Sequence, residues 1–336
     1  MSVLKQLKLR GKRQAKLLRA LRKSMSLRLR INRTDLIRPR DILVFVTLRN
    51  EVARLPFFLD YYRALGVGHF LIVDNASDDG SAEYLLEQRD VSLWSSSASY
   101  KDASFGVDWI NHLLWRFGPG HWVLVVDVDE FLVYPFCDTR PLPALTDWLE
   151  AQGRPAFSAM LLDMYPKGPV TAQPYCAGQD PFEIARWFDP TNYIIRRNSE
   201  LQNLWIQGGV RLRAIMRDTP AQAPALNKIP LVFWARKYAY VSSTHMLLPR
   251  GLNRVFDESG GEQASGVLLH AKFLDTILGK TEEELRRGEH YAQSREYRAY
   301  DAMLHRKDSF WCEWSTEYIN WRQLEILGLM SKGDWA

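Results

Sequence analysis

The stretch His121–Pro135, HWVLVVDVDEFLVYP, decides how the rest of the chain is interpreted. Its first part, Trp122–Val126, is a short apolar run with three valines, and such a run predicts a buried strand. Asp127, Asp129 and Glu130 follow directly. Ligands of open α/β sheets lie beyond the carboxyl ends of the strands, and Mg²⁺ and Mn²⁺ prefer oxygen ligands such as carboxylates and phosphates. The D-x-D pattern therefore indicates a cation site, although acids at a strand end also fit an ordinary turn.

The region before this stretch alternates between apolar runs and segments of helical periodicity. The predicted elements are strands at residues 41–48, 69–73 and 91–94 and helices at residues 57–65, 83–87 and 109–117. Strands that alternate with helices are typical of a parallel, nucleotide-binding α/β sheet. We therefore expect one large α/β domain, for which 336 residues with 46% hydrophobic content suffice.

Polar side chains follow the first two predicted strands. Arg49, Asn50 and Glu51 come after the first strand, and Asp74 comes after the second. Because the carboxyl ends of parallel strands share one edge of a sheet, one cleft is expected to collect these groups and the D-x-D acids. Asp74 is suited to accept hydrogen bonds from a ribose or a base, whereas Asp78 and Asp79 are better suited to cap the next helix, a role that Ser77 or Ser81 could also fill.

The charge of the chain is unevenly distributed. Residues 1–40 contain 14 Lys or Arg and one acid, Asp35, while the remainder carries a net charge of −8. Leu17, Leu18, Leu21 and Met25 follow helical spacing among these basic residues. A basic amphipathic segment fits an anionic membrane surface, a plain solvated extension or nucleic acid. The absence of interleaved aromatic residues argues against nucleic acid.

Composition also bears on location. No stretch has the roughly 18 uncharged apolar residues of a membrane span, and no apolar run of a signal peptide follows the basic start. The three cysteines are widely spaced and form neither a zinc pattern nor a disulfide framework. These features predict a cytoplasmic protein, either free or peripheral at the inner membrane surface.

Several motifs together resemble a known family. LRNE at 48–51, VDNASDDGS at 73–81 and DVDEF at 127–131 resemble the inverting glycosyltransferases of family 2 type with the GT-A fold. The resemblance is closer to the family 92-like branch, and it covers roughly residues 41–305. The further motifs are LLDMYPKGP at 161–169, GGVR at 208–211, LNKIPLVFW at 226–234, STHMLLP at 243–249, LLHAKFL at 268–274 and EYRAYDAML at 296–304. The Q-x-x-R-W motif of the larger family is absent from the sequence.

The resemblance implies a GT-A fold, which is Rossmann-like, with a mixed central sheet and C-terminal helices. The expected glycosyltransferase domain covers 41–280, while the charge distribution sets apart a basic extension over 1–40 and the sequence pattern predicts a helical segment over 281–336. The implied reaction is metal-dependent, inverting transfer of a sugar, such as a hexose, in polysaccharide biosynthesis. The donor would be a nucleotide-sugar, foremost a UDP-sugar, the acceptor a glycan or a lipid-linked hydroxyl, and the cofactor Mn²⁺ or Mg²⁺. No nucleic acid is implied as a partner.

The resemblance also implies roles for individual residues. Asp129 would ligate the metal directly, and Asp127 would contact the ribose or the water shell of the metal. The predicted lining of the nucleoside pocket is Arg49, Asn50, Glu51 and Asp74. His270, which follows the apolar run 267–269, would complete the metal site, and Lys272 would neutralise a diphosphate leaving group. A buried structural role for His270, with His245 as the ligand instead, remains an alternative.

Two further assignments concern the second half of the chain. Gly208-Gly209 predicts close backbone approach to a ligand or a bulge, and Arg211 beyond it is a candidate donor-binding residue. Arg211 and Arg213 also fit an ordinary strand with solvent-facing side chains. For the base of an inverting transfer we select Asp163, because an apolar setting would raise its pKa. The alternative bases are Asp180, Glu183 and Glu130.

The C-terminal region is expected to be helical. Thr281 and Glu284 have the spacing of a capping box, and the spacing of Trp311, Trp314, Tyr318 and Trp321 predicts a helix packing stripe or, if exposed, an acceptor-glycan site. Two rival functions remain for the whole chain. They are a phosphohydrolase that uses D-x-D and a non-catalytic sugar- or membrane-binding module.

Overall fold

The structure is a computed structural model, and it describes residues 3–255, 263–289, 298, 300–301 and 309–335. Its helices are α1 Val3–Lys23, α2 Leu55–Ala64, α3 Ser81–Glu87, α4 Val107–Phe117, α5 Leu142–Ala151, α6 Ile277–Arg287 and α7 Trp321–Ile326. Its strands are β1 Arg28–Ile31, β2 Ile42–Leu48, β3 Val67–Asp74, β4 Val91–Ser95, β5 Trp122–Val125, β6 Glu130–Val133, β7 Ala156–Asp163, β8 Trp187–Phe188, β9 Tyr193–Asn198, β10 Asn203–Gly208, β11 Asn227–Phe233, β12 Ala239–Tyr240, β13 Leu247–Leu248, β14 Gly266–His270 and β15 Thr316–Glu317.

Nine strands form one mixed sheet in the order β1-β4-β3-β2-β5-β11-β7-β14-β6. The pairs β4-β3, β3-β2, β2-β5 and β7-β14 are parallel, whereas β1, β11 and β6 run antiparallel to their neighbours. The predicted α/β class with a mixed central sheet is confirmed. The strands predicted at 41–48, 69–73, 91–94 and 122–126 correspond to β2, β3, β4 and β5.

The central strands are apolar on both faces because helices cover both faces. Val44 and Val46 of β2 pack into one core with α2, α3 and α5. Leu43 and Phe45, which alternate with them, pack into a second core with α4. This arrangement explains why β2 appears in the sequence as a continuous apolar run without the alternation of a half-exposed strand.

The connection from β5 to β6 places the D-x-D acids. β5 lies in the middle of the sheet and β6 at its edge, and only residues 126–129 join them. The connection therefore crosses the ends of β11, β7 and β14. These ends are the carboxyl ends of β7 and β14 and the amino end of β11, since β11 runs antiparallel to β5 and β7. They lie at the same end of the sheet as the carboxyl end of β5. Asp127 and Asp129 thus lie above three strands that the sequence motif does not include.

The basic N-terminal region contributes to the fold. Helix α1 packs mainly against α4, with Leu9 and Ala20 buried, and Arg19 Nε donates to the buried Asp108 carboxylate at 2.7 Å. β1 then pairs with β4 at the edge of the sheet. The structure therefore differs from the expected boundary at residue 40, because residues 28–31 belong to the central sheet.

The C-terminal region also differs from the expectation. Helix α6 begins at Ile277, so Thr281 lies inside the helix and does not cap it. Trp311 and Trp314 lie outside regular helix, and only Trp321 of the predicted stripe is in a helix, α7. The helical stripe prediction is therefore wrong. Most of the EYRAYDAML motif at 296–304 lies outside the described residues.

Among the described residues, no helix is long and apolar enough to cross a lipid bilayer.

Candidate functional site

A cleft of about 310 Å³ lies at the end of the sheet that the D-x-D connection crosses. Residues that follow β2 and β5, the end of β14, the start of β11 and the helix α6 all line it. Seven of the predicted site residues are in this lining: Arg49, Glu51, Asp127, Asp129, Arg211, His270 and Lys272. Asn50, Asp74 and Asp163 are outside the lining. The expectation that one cleft collects the strand-end groups is met for most of them.

Four side chains beside the cleft, Asp129, His270, Asp163 and Arg211, contact one another in sequence. The Nε2 atom of His270 lies 3.3 Å from Oδ2 of Asp129, and its Nδ1 lies 2.6 Å from Oδ1 of Asp163. Arg211 Nε donates to the other oxygen of Asp163 at 2.7 Å. His270 and Asp163 are register neighbours on the parallel strands β14 and β7. The pairing of these strands therefore orients the imidazole so that Nε2 faces Asp129.

The ionisation of this chain follows from its contacts. Burial alone would raise the pKa of Asp163, but Arg211 and His270 outweigh it and lower that pKa to about 2. Burial would lower the pKa of His270, but Asp129 and Asp163 raise it. The pKa of Asp129 is likewise held well below its ordinary value, since His270 outweighs the effect of burial.

The pKa of Asp163 is lowered, whereas the sequence analysis expected it to be raised. The sequence predicted a raised pKa in an apolar setting, but the apolar neighbours in sequence are not the neighbours in space. A carboxylate whose pKa is about 2, and whose two oxygens already contact Arg211 and His270, is a weak proton acceptor near neutral pH. Asp163 is better described as a positioning residue for His270.

The donor set at the end of the D-x-D connection suits a divalent cation in part. A histidine that ligates a metal usually has its other ring nitrogen bonded to a carboxylate, and His270 has this arrangement with Asp163. Asp129 would supply a carboxylate oxygen ligand beside the His270 nitrogen. In the part of the chain that the structure describes, however, no group of three or more His, Cys, Asp or Glu side chains is arranged to hold a metal. The predicted trio of Asp127, Asp129 and His270 therefore reduces to Asp129 and His270.

Asp127 and Glu130 have different surroundings. Asp127 is exposed in the cleft, but the closely packed protein around it, together with Glu130, raises its pKa. Glu130 is buried and accepts from Lys228 Nζ at 2.9 Å. Burial would lower the pKa of Lys228, but Glu130 and Asp127 raise it. Glu130, an alternative base in the sequence, is thus one half of a buried ion pair.

Helix α6 closes the side of the cleft next to β2. Glu283 accepts from Arg49 Nε and, at 3.1 Å, from Asn50 Nδ2. Lys280 donates to Glu51. The three polar residues after β2 therefore contact α6, and only Arg49 and Glu51 also line the cleft.

Asp74 differs from its predicted role. It is 3% exposed, and its carboxylate accepts from the backbone N–H and the hydroxyl of Ser77, so it stabilises the turn after β3. Asn75 lines the cleft in its place. Asp79 accepts from the backbone N–H and hydroxyl of Ser81, the first residue of α3, but the N-cap residue is Gly80 and no side chain caps the helix.

The region after Gly208 is not a strand. Residues 211–215 form a short π-helical turn, and Arg211 is buried against Asp163 while Arg213 contacts Asp189. The alternative of solvent-facing strand residues is wrong. A Cβ atom at Gly208 would lie 2.3 Å from the carbonyl oxygen of Asn192, so the close approach there is to the partner strand β9.

Sequence reasoning missed several residues of the cleft. Lys228 belongs to the motif LNKIPLVFW at 226–234, but nothing in the sequence indicates its partner Glu130, about 100 residues earlier. Lys280, Glu283 and Arg287 were also missed, although they share one side of α6 at helical spacing. Such charged spacing usually marks a solvated helix face, so the signal was ambiguous.

His245 lies in the cleft lining but is held by the backbone. Its Nδ1 is 2.6 Å from the carbonyl oxygen of Asn227, and burial, with the nearby Lys228, lowers its pKa to about 3. It is therefore neutral in the folded protein at neutral pH. Among the described residues, its side chain is hydrogen-bonded to Asn227 and not to Asp127 or Asp129.

We expect His245 to make stability pH-dependent. Between pH 6.5, the ordinary pKa of histidine, and about pH 3, the unfolded chain binds one proton more than the folded chain at this residue. Stability should therefore fall as pH falls, by up to about 1.4 kcal/mol per pH unit. His245→Gln, which keeps a donor for Asn227, should flatten this dependence in urea unfolding between pH 4.5 and 6. Unfolding at pH 8 serves as the reference, and an unchanged slope would contradict the expectation.

Comparisons with known proteins complete the description of the site. No protein-family model matches the chain, and no curated protein matches it in sequence. A mannosyltransferase from Pyrobaculum calidifontis, solved with GDP-Man and Mn²⁺, is 15% identical with a TM-score of 0.32, over 90% of this chain and 80% of its own. A protein assigned as a glucose-1-phosphate thymidylyltransferase from Bacillus anthracis is 8% identical, with a TM-score of 0.29. The match covers 78% of this chain and 84% of that protein. A 4-diphosphocytidyl-2C-methyl-D-erythritol synthase is 16% identical, with a TM-score of 0.28. The match covers 59% of this chain and 76% of that enzyme. At these identities and TM-scores, the similarity assigns neither site residues nor a reaction to this chain.

Proposed function

We propose that this chain is a metal-dependent glycosyltransferase of GT-A type. It would move a sugar, foremost a hexose from a UDP-sugar, to a hydroxyl group of a glycan or a lipid-linked acceptor. The observation that carries the proposal is the contact between Asp129 and His270 in the lining of the cleft. The second nitrogen of His270 is fixed by Asp163.

The cleft has the charge pattern that a nucleotide-sugar requires. Its lining mixes acids, among them Asp127 and Asp129, with cationic side chains that include Lys228, Lys272 and Lys280. A diphosphate carries negative charge that a cation and lysine or arginine side chains neutralise together. Such a mixed lining suits a diphosphate bound through a metal better than a plain anion.

The proposed cofactor is Mn²⁺ or Mg²⁺. Asp129 and His270 would hold it, with Asp127 acting through water, and the ion would supply positive charge to the diphosphate leaving group. Asp163 and Arg211 would keep the His270 ring oriented. Lys272, two residues after His270, is suited to contact the diphosphate.

The resemblance also implies inversion at the sugar carbon that is transferred. This reaction needs a general base that takes the proton from the attacking hydroxyl group. In this proposal Asp163 positions His270 and does not take up the proton. Arg49 and Asn75, which line the cleft beyond β2 and β3, are the proposed contacts of the nucleoside.

The proposal extends to the location of the reaction. The outward side of α1 carries exposed apolar residues, Leu4, Leu7, Leu18 and Leu21, and the exposed Met25 follows just after the helix. The helix contains no acid and nine Lys or Arg residues. Such a helix fits the surface of an anionic membrane, where a lipid-linked acceptor would be found. We therefore propose a cytoplasmic enzyme that works at the inner membrane surface.

Donor binding tests the proposal directly. UDP-, GDP- and CMP-sugars are titrated into the protein by calorimetry, once with Mn²⁺ and once with EDTA. We expect one nucleotide class to bind, and its affinity to fall about tenfold or more without metal, because the metal joins the protein to the diphosphate. A protein that binds no nucleotide-sugar under either condition would contradict the proposal and favour a non-catalytic module.

A further inference from the structure

A second cavity lies on a different part of the molecule, between helix α1 and the segment that follows β13. It has a volume of about 750 Å³, and its lining shares no residue with the cleft described above. Five of its lining residues are cationic, namely Arg10, Arg13, Lys237, Arg250 and Arg254. We call this cavity the basic groove.

The basic groove has no acidic side chain in its described lining. Two of its arginines are held in place by neutral acceptors. Arg250 Nη1 lies 3.2 Å from the carbonyl oxygen of Glu200, and Arg254 Nε donates to Gln202 Oε1 at 3.1 Å. These contacts orient the guanidinium groups without neutralising their charge. The groove therefore concentrates positive charge in a fixed arrangement.

Arg13 supplies an independent observation. Its Nε atom is buried and has no hydrogen-bond acceptor among the described residues. Buried N–H groups nearly always have a partner, and the cost of leaving a charged donor without one is considerable. Arg13 therefore places a full positive charge in the lining of the groove, and its Nε has no described acceptor that would offset this charge.

The floor of the groove is apolar. Leu9 and Leu248 line it, and both are buried in a small core cluster with Leu201. This cluster fixes the distance between α1 and the segment after β13, so the groove does not depend on the basic side chains to keep its shape. Arginine guanidinium groups match phosphate oxygens in geometry and bind them through paired hydrogen bonds.

We propose that the basic groove binds a phosphoryl group. The group belongs either to the headgroup of an anionic lipid or to a soluble phosphate compound. The outward apolar side of α1 adjoins a lipid surface in the first case, and the second case needs no membrane. The groove is independent of the reaction proposed for the cleft, because the two linings share no residue.

The test compares two double variants that lose the same charge. Arg13→Gln/Arg250→Gln changes the groove, whereas Lys12→Gln/Arg22→Gln changes exposed residues of α1 outside its lining. Inorganic pyrophosphate is titrated by calorimetry in EDTA, and co-sedimentation is measured with vesicles of phosphatidylglycerol and of phosphatidylcholine. Pyrophosphate that enters the cleft does so in both variants, so the difference between them isolates the groove.

We expect the groove variant to lose about tenfold or more in affinity for a phosphoryl probe relative to the matched control. A loss seen with phosphatidylglycerol vesicles assigns the group to a lipid headgroup, and a loss confined to pyrophosphate assigns it to a soluble compound. Equal binding of both probes by the two variants overturns the proposal. Thermal unfolding checks the fold, and Arg250→Gln alone, at a partly exposed residue, replaces the double variant if that variant unfolds.

Discussion

Asp129→Ala is expected to abolish metal-dependent binding of the nucleotide-sugar and, with it, sugar transfer. Asp129 is the carboxylate next to His270 Nε2, and the proposed ion has few other protein ligands in the described structure. Loss of one of two protein ligands should weaken metal binding by about 100-fold or more, since loss of an outer contact alone costs 10- to 100-fold. Calorimetric titration of the donor with Mn²⁺ measures this directly.

Asp78→Ala is the matched control for this variant. Asp78 is an exposed aspartate near β3, and its side chain is outside the cleft lining. It should bind donor and metal as the unmodified protein does. Asp129 lies on a connection between strands and outside the two cores, so Asp129→Ala should keep the same circular dichroism spectrum. Turnover at the unmodified rate with saturating Mn²⁺ would show that Asp129 does not hold the metal.

Lys228→Met is expected to lower the free energy of unfolding by about 3–5 kcal/mol. Lys228 and Glu130 are 5% and 1% exposed, and their charged atoms are 2.9 Å apart. Removal of the lysine leaves the Glu130 carboxylate buried without its partner, and the cost of that unpaired charge exceeds the value of the ion pair itself. Urea unfolding at pH 7 measures the change through the transition midpoint.

A double variant separates the two contributions. Glu130→Gln/Lys228→Met removes both charges, and it should be more stable than Lys228→Met alone, because no buried charge is left unpaired. Lys101→Met, at an exposed lysine, controls for the loss of charge and should change stability by less than about 0.5 kcal/mol. A loss below about 1 kcal/mol for Lys228→Met would mean that water reaches Glu130 and solvates it.

The position of α6 bears on how a donor enters the cleft. Arg49, a proposed nucleoside contact, is engaged by Glu283, and Glu51 is engaged by Lys280. Arg54 also ties the start of the helix to the same region, since it pairs with Glu51 at 3.0 Å and donates to Thr276 at 2.7 Å. A bound nucleoside would therefore compete with Glu283 for Arg49. This competition is a physical reason to expect that α6 shifts when donor binds.

Local patterns were sufficient for much of the fold. The apolar runs at β2, β3 and β5 predicted buried strands because both faces of the sheet are covered, and burial on both faces leaves a continuous run in the sequence. The acids after β5 and His270 at the end of β14 were also found from the sequence. Each group directly follows an apolar strand, and the carboxyl ends of these strands meet at one edge.

What the tertiary structure alone decided is which charges meet. The sequence by itself determined four strands of the sheet, β2 to β5, and most of the groups that line the cleft. It could not show that Asp163 contacts Arg211 and His270, which are 48 and 107 residues away, because local periodicity does not encode strand order. A pKa depends on the charges nearest in space, and so the apolar sequence around Asp163 predicted the wrong sign. For the same reason Lys228, whose partner Glu130 lies on the edge strand β6, and the charged side of α6 became visible only once the sheet and its covering helix were in place.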